Sequence, residues 1–490
     1  MIIVLTTKVI TFSNYINGQW TESTSGRTFD SLNPANKEEI VGTFQASNDQ
    51  DIQLAIEAAN RAFPQWAQTA PSKRAAILNQ AASILEENAD KLAEELTREE
   101  GKHIKDARNE VIRSAQTFRY YAVEGQSFTG ETFPNDDPHM NVSTEREPLG
   151  VASVITPWNF PLSIPARKIA PALITGNTVV FKPSSDTPLI ALRLVEALHN
   201  AGIPEGVINF VTGKSSDIGD LLVTHPSVKA VTFTGSTAAG EDIHRKSSFT
   251  TRTQMELGGK NPIIVMDDAD IELAVNLTIN GGFSLTGQAC TGTSRVIVLE
   301  DVKESYIQKL IEKTSELKIG SGFEDGVKIG PLANEKQLKN VLKYISYGKE
   351  DGASLVYGGE QLTGKEYRNG FYVQPAVFTD VRPDMRIARE EIFGPVVAVI
   401  AVETYEEAIA IANDVEYGLS ASIVTNNLKI AHQFTKEIQA GTVKVNRTTT
   451  GNLMNAPFGG LKKSSTSTFR ESGRTGLEFF TQVKTVYIGY

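Results

Sequence analysis

The sequence predicts an α/β protein made of two units, each built on a mostly parallel sheet. Three observations predict it. From Val151 onward the short apolar runs VASVIT, NTVVFK, GVINFVT and AVTFTG alternate with helical segments such as the one from Pro188 to Ala201. Continuous β-branched runs separated by helices are the pattern of buried parallel strands in βαβ units, a dinucleotide-binding style of fold. A second series starts near Asn261 with NPIIVMDDAD and runs through SRVIVL, SLVYGG, AVFTDV and VVAVIA to about Asn446. The third observation is length: 490 residues are too many for one hydrophobic core. Two units imply a crevice between them, where a site is expected.

Along the chain, the part from Tyr15 to Phe44 reads as short strands broken by the turn clusters NGQW, STSGR and NPAN. Ser47 with Gln50 reads as a capping box opening a helix with Ile52, Ile56, Ala59 and Phe63 on one face. Ile77, Ala81, Ile84, Leu85, Leu92 and Leu96 recur at helical spacing, which predicts one long helix from Ser72 to about Arg98. The segment from Asp136 to Leu149 turns from polar to alternating and reads as a projecting hairpin, and the last run, TQVKTVYIGY, reads as a strand. Unpaired edges of this kind find a partner subunit or stay solvated. The expected boundaries are residues 1–135 with 150–260 for a cofactor-binding unit and 261–446 for a catalytic unit. Residues 136–149 and 470–490 are expected to form an arm and tail.

Composition narrows the function. Apolar and charged fractions of 40% and 22% are those of an ordinary globular protein. Against 48 basic residues stand 58 acidic ones, a net charge of −10, and no Lys/Arg block is present, so nucleic acid is not an expected partner. One cysteine allows no internal disulfide. The run MIIVLTTKVITF is interrupted by Lys8 and lacks the parts of a secretory signal, and no stretch reaches the ~18 apolar residues of a membrane span. A cytoplasmic protein is expected. His103, His139, His199, His225, His244 and His432 are scattered without ligand spacing, so no metal site is expected.

Several residues have both a chemical and a plain structural reading. Cys290 lies in TGQACTGTSR among small and polar neighbours, which suits a reachable thiolate, although a lone cysteine is often a small buried hydrophobe. Glu256 in QMELGGKNP closes an apolar stretch, where burial raises a carboxyl pKa and makes a usable general base; the alternative is an exposed strand end. Asn159 in ITPWNFP is held between prolines and either donates to an oxyanion or makes a turn. FTGSTAAG reads as strand, glycine-bounded turn and helix, whose N-terminus suits a pyrophosphate, but without the usual dinucleotide glycine spacing. TGKSS is no P-loop, because Ile208 stands where the first glycine is required.

ITPWNFP, KPSSDTP, FTGS, MELGGKNP, GQAC, EEIFGP and PFGG occur in this order over essentially the whole chain, and together they resemble the aldehyde dehydrogenase superfamily. The resemblance implies a Rossmann-like cofactor domain, a second α/β catalytic domain and a β oligomerisation arm that builds a homodimer or homotetramer. It implies Cys290 as nucleophile, Glu256 as the base for the deacylating water, and Asn159 with the Cys290 N–H as oxyanion hole. It also implies a nicotinamide dinucleotide contacted by Thr156, Pro157, Trp158, Lys182, Ser185, Gly235, Ser236, Leu257, Glu391 and Phe393. In enzymes that prefer NAD the position of Ser185 is often Glu, which would repel a 2′-phosphate, so NADP is the expected cofactor with NAD also possible. Arg167 resembles the semialdehyde dehydrogenases, whose substrates carry a distal carboxylate; the alternative for it is a structural ion pair. Succinate-semialdehyde enzymes often have a second Arg where this chain has Ser284. CTGTSR with VNRTTTG is instead similar to the 2,5-dioxopentanoate (α-ketoglutarate semialdehyde) dehydrogenases. PFGGLKKSSTS departs from the family by lacking a glycine after the serine. Succinate-semialdehyde or general aldehyde oxidation, the acyl-CoA-forming branch and a non-catalytic dinucleotide-binding protein are the rival readings. Glu256 argues for water over coenzyme A, and the joint presence of Cys290, Glu256 and Asn159 argues for turnover.

Overall fold

A computed structural model describes residues 9–490, so the reading of the amino-terminal run rests largely on residues outside that range. Its first sheet has seven strands, in the order Arg252–Glu256, Val228–Thr234, Val151–Ile155, Thr178–Lys182, Ile208–Phe210, Asn14–Ile16 and Gln19–Thr21. The five strands between residues 151 and 256 are parallel, and the two near the amino terminus close one edge antiparallel. Both faces are covered, as the unbroken apolar runs require. Val151, Ile155, Val180 and Val231 pack with Ile52, Ala55 and Ile56 of the helix Asp49–Ala67. Ala152, Val154, Val179 and Phe181 point the other way, toward Ala166 and Ile169 of the helix Ser163–Ile174.

Topology places the site. The chain runs outward from Val151–Ile155 to Ile208–Phe210, then returns to the opposite side of Val151–Ile155 with Val228–Thr234. The carboxyl ends of those two neighbours therefore flank a point where the strand order reverses, the place where ligands bind in open α/β sheets.

The second sheet also has seven strands, ordered Ser354–Tyr357, Ala376–Thr379, Val396–Val402, Thr293–Leu299, Asn261–Val265, Ser420–Val424 and Thr442–Val445. All pairings but the first are parallel. Ile264, Ile297 and Ile400 face one core, while Ile263, Val296 and Val399 face another. Ser420–Val424 and Thr442–Val445 were absent from the sequence expectation, since their serine, threonine and lysine content breaks the apolar runs.

Three local expectations need correction. The first long helix is capped one residue later: the Asn48 side chain accepts from Asp51 N–H, and Asp51 returns the bond to Asn48 N–H. Ser47 is turned away, accepting from Asn14 Nδ2 at 2.9 Å. The expected helix from Ser72 to Arg98 is two, Pro71–Glu87 and Ala89–Glu100. It breaks at Asn88, whose side-chain amide donates to the Ile84 carbonyl at 2.8 Å and so ends the first helix. A further helix, Ile104–Glu124, lies beyond. Finally, Met140–Pro148 makes only a two-residue hairpin with Thr132–Phe133, and its long partner is the tail strand Thr481–Gly489, paired antiparallel over nine residues. Among the described residues the tail strand's outer edge has no partner, and Val483, Tyr487 and Ile488 of that strand are exposed. Among the described residues no helix is long and apolar enough to cross a membrane, and no group of three or more His, Cys, Asp or Glu is placed to hold a metal.

Candidate active site

The first sheet offers its carboxyl ends and the second its amino ends. Thr156–Asn159, Lys182–Ser185, Gly235–Ser236 and Leu257–Gly258 follow strands of the first. Cys290 and Glu391–Phe393 precede the strands Thr293–Leu299 and Val396–Val402 of the second. Between these rims lies a cavity of about 660 Å³, and all ten residues expected at the dinucleotide line it, as does Asn159. A second cavity, about 350 Å³, is lined by Arg167, Ser284, Phe458 and Arg113 among others. Cys290 lines both.

The loop that carries Cys290 is forced into shape. Leu285 and Thr286 have φ of 52° and 56°, and Gly287 follows at 69°, so three successive residues turn left-handed. Such a conformation costs a non-glycine residue on the order of 1–3 kcal/mol, and surrounding bonds must hold it. A Cβ at Gly287 would stand 2.3 Å from the Gly394 carbonyl oxygen. Asn261 Nδ2 donates to the carbonyls of Cys290 (2.8 Å) and Gly292 (2.9 Å), and the Asn159 amide donates to that of Gln288 (3.0 Å). Desolvation pushes the half-buried Cys290 thiol up to about 12; Arg167 pulls it down, and Glu391, Glu256 and Glu471 add to the rise.

Glu256 lies behind this loop, lining neither cavity, and is 3% exposed. Neither carboxylate oxygen has a hydrogen-bond partner. Burial, then the neighbouring Glu471 charge, raise its pKa well above the ordinary value. Glu471 behaves oppositely. It too is buried, yet Lys168 at 2.9 Å and Arg167 at 3.3 Å hold it ionised below the ordinary value. Two neighbouring buried carboxyls, only one of them paired with cations, are thus driven apart, the arrangement that yields one proton-accepting partner and one fixed charge. PFGG and the segment after it pack here: the backbones of Ser465 and Glu256 form an isolated antiparallel bridge, Ser464 Oγ donates to the Gly258 carbonyl at 2.7 Å, and a Cβ at Gly459 would lie 2.7 Å from Glu256 Oε1.

Asn159 is 2% exposed and anchored through its backbone. Lys102 Nζ donates to the Asn159 carbonyl at 2.8 Å and to Glu110 Oε2 at 2.6 Å, and sits over the Phe160 ring. Glu110 Oε1 accepts from Leu162 and Ser163 N–H, each at 3.0 Å, at the start of the helix that follows.

The larger cavity gathers free donors and a carboxylate at its wall. Lys182 Nζ, with three donors, has one acceptor, the Pro183 carbonyl at 3.1 Å, and burial lowers its pKa to about 8. Thr156 and Thr234 hydroxyls are buried without partners. Glu391 accepts from Gly259 N–H at 3.0 Å, and desolvation raises its pKa to about 7. A Cβ at Gly258 would come 2.2 Å from Glu391 Oε2, so glycine is required for this approach. Trp158 and Phe393 meet edge to face at 5.4 Å, Phe393 at a left-handed φ of 58°. Ser236 caps the helix Thr237–Lys246 through Ala239 N–H.

Sequence reading missed Lys102, Arg113, Lys168, Glu471 and Lys214. The signal for Lys168 was a basic residue inside the otherwise apolar stretch SIPARKIAPALI; for the others no local pattern separates them from surface charges.

Comparison with known proteins agrees with this geometry. The aldehyde dehydrogenase family model matches residues 20–486. The alpha-ketoglutaric semialdehyde dehydrogenase of Bacillus subtilis is 46% identical over 479 residues, 98% of each chain. The 2,5-dioxopentanoate dehydrogenase of Saccharolobus solfataricus is 44% identical over 469 residues, 95% of this chain and 97% of that one. A crystal structure of betaine aldehyde dehydrogenase from Staphylococcus aureus, in complex with NAD+, superimposes with a TM-score of 0.95 at 35% identity, covering 98% of this chain and 94% of that one. The chain belongs to the aldehyde dehydrogenase family, and it is an enzyme that oxidises an aldehyde to a carboxylate with a nicotinamide dinucleotide.

Proposed function

We propose that this aldehyde dehydrogenase acts on a short aldehyde bearing a distal carboxylate, 2,5-dioxopentanoate, giving 2-oxoglutarate, and that it takes NADP in preference to NAD. The observation that carries the reading is Cys290 at the junction of two cavities, one with a dinucleotide's donor set and one with two guanidinium groups. The naming of the 46% identical Bacillus subtilis relative supports the substrate, and so does Arg167 in the smaller cavity. Arg167 is also partly engaged by Glu471, so the structural ion pair weighed for it in the sequence is present as well.

In the dinucleotide cavity Lys182, Ser185 and Lys214 would hold the adenosine ribose and its 2′-phosphate, Ser236 the pyrophosphate, and Glu391 the nicotinamide ribose. When bound, the dinucleotide supplies the two-electron acceptor beside Cys290. The protein supplies the rest. Cys290 Sγ, as thiolate, bonds to the aldehyde carbon while the carbonyl oxygen takes up the negative charge. The Asn159 amide leaves the Gln288 carbonyl to donate to that oxygen, joined by the Cys290 N–H. As that oxygen's charge re-forms the carbonyl, the C–H bond would break with its hydride passing to the acceptor that the dinucleotide supplies, and the acyl group is left as a thioester on Cys290. Glu256 then takes a proton from water, the water oxygen bonds to the acyl carbon, and the C–S bond breaks to release the carboxylate and the thiolate. Glu256 and Asn159 are assigned on these positions and chemistries. The free edge of the tail strand supports assembly into a homodimer or homotetramer.

The test is a steady-state screen of 2,5-dioxopentanoate, succinate semialdehyde, betaine aldehyde and butanal, each with NADP and NAD. The reading expects the highest kcat/KM for 2,5-dioxopentanoate with NADP. A preference for betaine aldehyde or butanal overturns it.

A further inference from the structure

We propose that Arg113, on the helix Ile104–Glu124, is the principal contact for the substrate's distal carboxylate, with Arg167 as the second guanidinium of the clamp. The proposal rests on the semialdehyde reading and names where its specificity lies.

Five charged side chains line the 350 Å³ cavity: Lys102, Asp106, Glu110, Arg113 and Arg167. Their pairings separate them. Lys102 and Glu110 are buried and joined at 2.6 Å, so their charges are spent on each other and on the Asn159 loop. Arg167 gives Nη1 to Glu471 at 3.3 Å and Nε to the Ser163 carbonyl at 3.3 Å, so its charge is partly balanced from behind. Asp106 stands in the first turn of its helix, where the positive end of the helix favours a carboxylate, about 10 Å along the axis from Arg113.

Arg113 differs from all of these. Its guanidinium donates from Nη2 to the Asn452 carbonyl at 2.8 Å, and among the described residues it forms no salt bridge. That contact orients the guanidinium between the helix and the loop of Asn452 while leaving its other donors free. Arg113 is exposed at the cavity. Partial desolvation, then the like charge of Arg167, lower its proton affinity while Glu110 raises it, so the two guanidinium groups that line this cavity stand within each other's field with Glu110 also near. Two like charges held together are stabilised by an anion between them, and a planar carboxylate matches guanidinium donors in pairs. The cavity also has Cys290 on its wall, so a short chain anchored at the arginines presents its other end to the sulfur. Ser284, on the loop before Cys290, supplies no charge. The second cation on the cavity wall is Arg113, from the helix Ile104–Glu124, distant in sequence from that loop.

The test compares the full-length enzyme with Arg113→Met, which keeps side-chain length without charge. The ratio of kcat/KM for 2,5-dioxopentanoate to that for butanal is expected to fall about 10- to 150-fold, the worth of one charge-assisted hydrogen bond. The loss should lie mainly in KM, and Arg113→Lys should restore part of it. A second reading avoids turnover: 2-oxoglutarate should protect wild-type Cys290 from iodoacetamide, and the half-protecting concentration should rise at least about tenfold in Arg113→Met. If the wild type prefers 2,5-dioxopentanoate but Arg113→Met leaves the ratio and the protection unchanged, Arg113 is not the contact and the substrate reading stands. If the wild type shows no preference over butanal, both fail. An equal loss on both aldehydes with unchanged protection makes Arg113 structural and overturns the proposal.

Discussion

Replacing Ser185 by glutamate tests the cofactor assignment most directly. Ser185 follows the strand Thr178–Lys182, and its hydroxyl donates to the Gly213 carbonyl at 3.0 Å, drawing the loop of Lys214 alongside it. Lys182, Asp186, Lys214 and Ser215 line the same cavity as Ser185, so on the proposed placement the 2′-phosphate of NADP would meet two ammonium groups and two hydroxyls, with the Asp186 carboxyl, its pKa raised by burial, beside them. A carboxylate introduced there faces the phosphate. Two unit charges ~4 Å apart at an effective dielectric near 20 interact by roughly 4 kcal/mol. Ser185 is only partly buried, and screening reduces this to about 1–3 kcal/mol, or on the order of 5- to 150-fold in the Kd for NADP. NAD offers a hydroxyl that the new carboxylate accepts, so its Kd should stay level or fall. Lys214→Ala removes an exposed partner and should weaken NADP about three- to fivefold without touching NAD. Both constants are measurable by quenching of tryptophan fluorescence, Trp158 being on the cavity wall. Equal shifts for the two dinucleotides in both variants would refute the placement of the 2′-phosphate beside Ser185.

Four further outcomes are expected. Cys290→Ala should abolish oxidation and leave NADP binding within about twofold, by activity assay and fluorescence titration, because on the proposed mechanism the thiol carries the acyl group and is one of many residues lining the larger cavity. Glu256→Gln should give a burst of reduced cofactor in stopped flow followed by a very low steady rate; loss of the burst would make Glu256 the base for the thiol as well. Since burial pushes the Cys290 thiol up to about 12, its thiolate fraction grows with pH throughout the working range. The iodoacetamide inactivation rate of the ligand-free enzyme should therefore climb about tenfold per pH unit from roughly pH 7 to 10, and Arg167→Leu should slow it at every pH; a plateau below about pH 9 contradicts this. Lys102→Met strands the buried Glu110 carboxylate at a cost of about 3–5 kcal/mol and unties Asn159, so both the thermal midpoint and kcat should fall, with Glu110→Gln in the double variant recovering part of the midpoint; an unaltered kcat would show that Asn159 needs no tether.

Much of the fold is legible because burial on two faces leaves an unbroken apolar run. VASVI, TVVFK and NPIIV are buried at every position, and each is plain in the sequence. Ser420–Val424 is equally buried yet hidden, because two of its residues are serines: Ser420 Oγ and Ser422 Oγ donate to the Thr449 and Arg447 carbonyls, satisfied by a segment more than twenty residues away. The break at Asn88 fails to show for a different reason. Apolar periodicity continues through it, and an asparagine at a helix end looks no different in sequence from one on a helix surface.

The site divides along the same line. Cys290, Asn159, Glu256 and the dinucleotide-lining residues stand at strand ends beside glycine or proline, where the backbone must turn, so their surroundings mark them. Gly258 beside Glu391 and Gly287 beside Gly394 leave no room for a side chain, and the glycines record that closeness. Lys168 acts from a helix interior where nothing about the backbone is unusual. Lys102 follows the left-handed Gly101 and Glu471 precedes the left-handed Ser472 and Gly473, turns that do not by themselves mark the neighbouring charge as buried. Lys168 and Glu471 pair across some three hundred residues, and Lys102, whose ion partners Glu100 and Glu110 are near in sequence, reaches the distant Asn159 carbonyl; a buried charge is tolerated only when its partner arrives with it. Such a pair is a property of the packed fold. It follows that substitutions at the strand-end residues should strike chemistry or cofactor directly. Those at Lys102, Lys168 or Glu471 should instead couple catalysis to folding, because the groups that position the reacting atoms are also the counterions of the core.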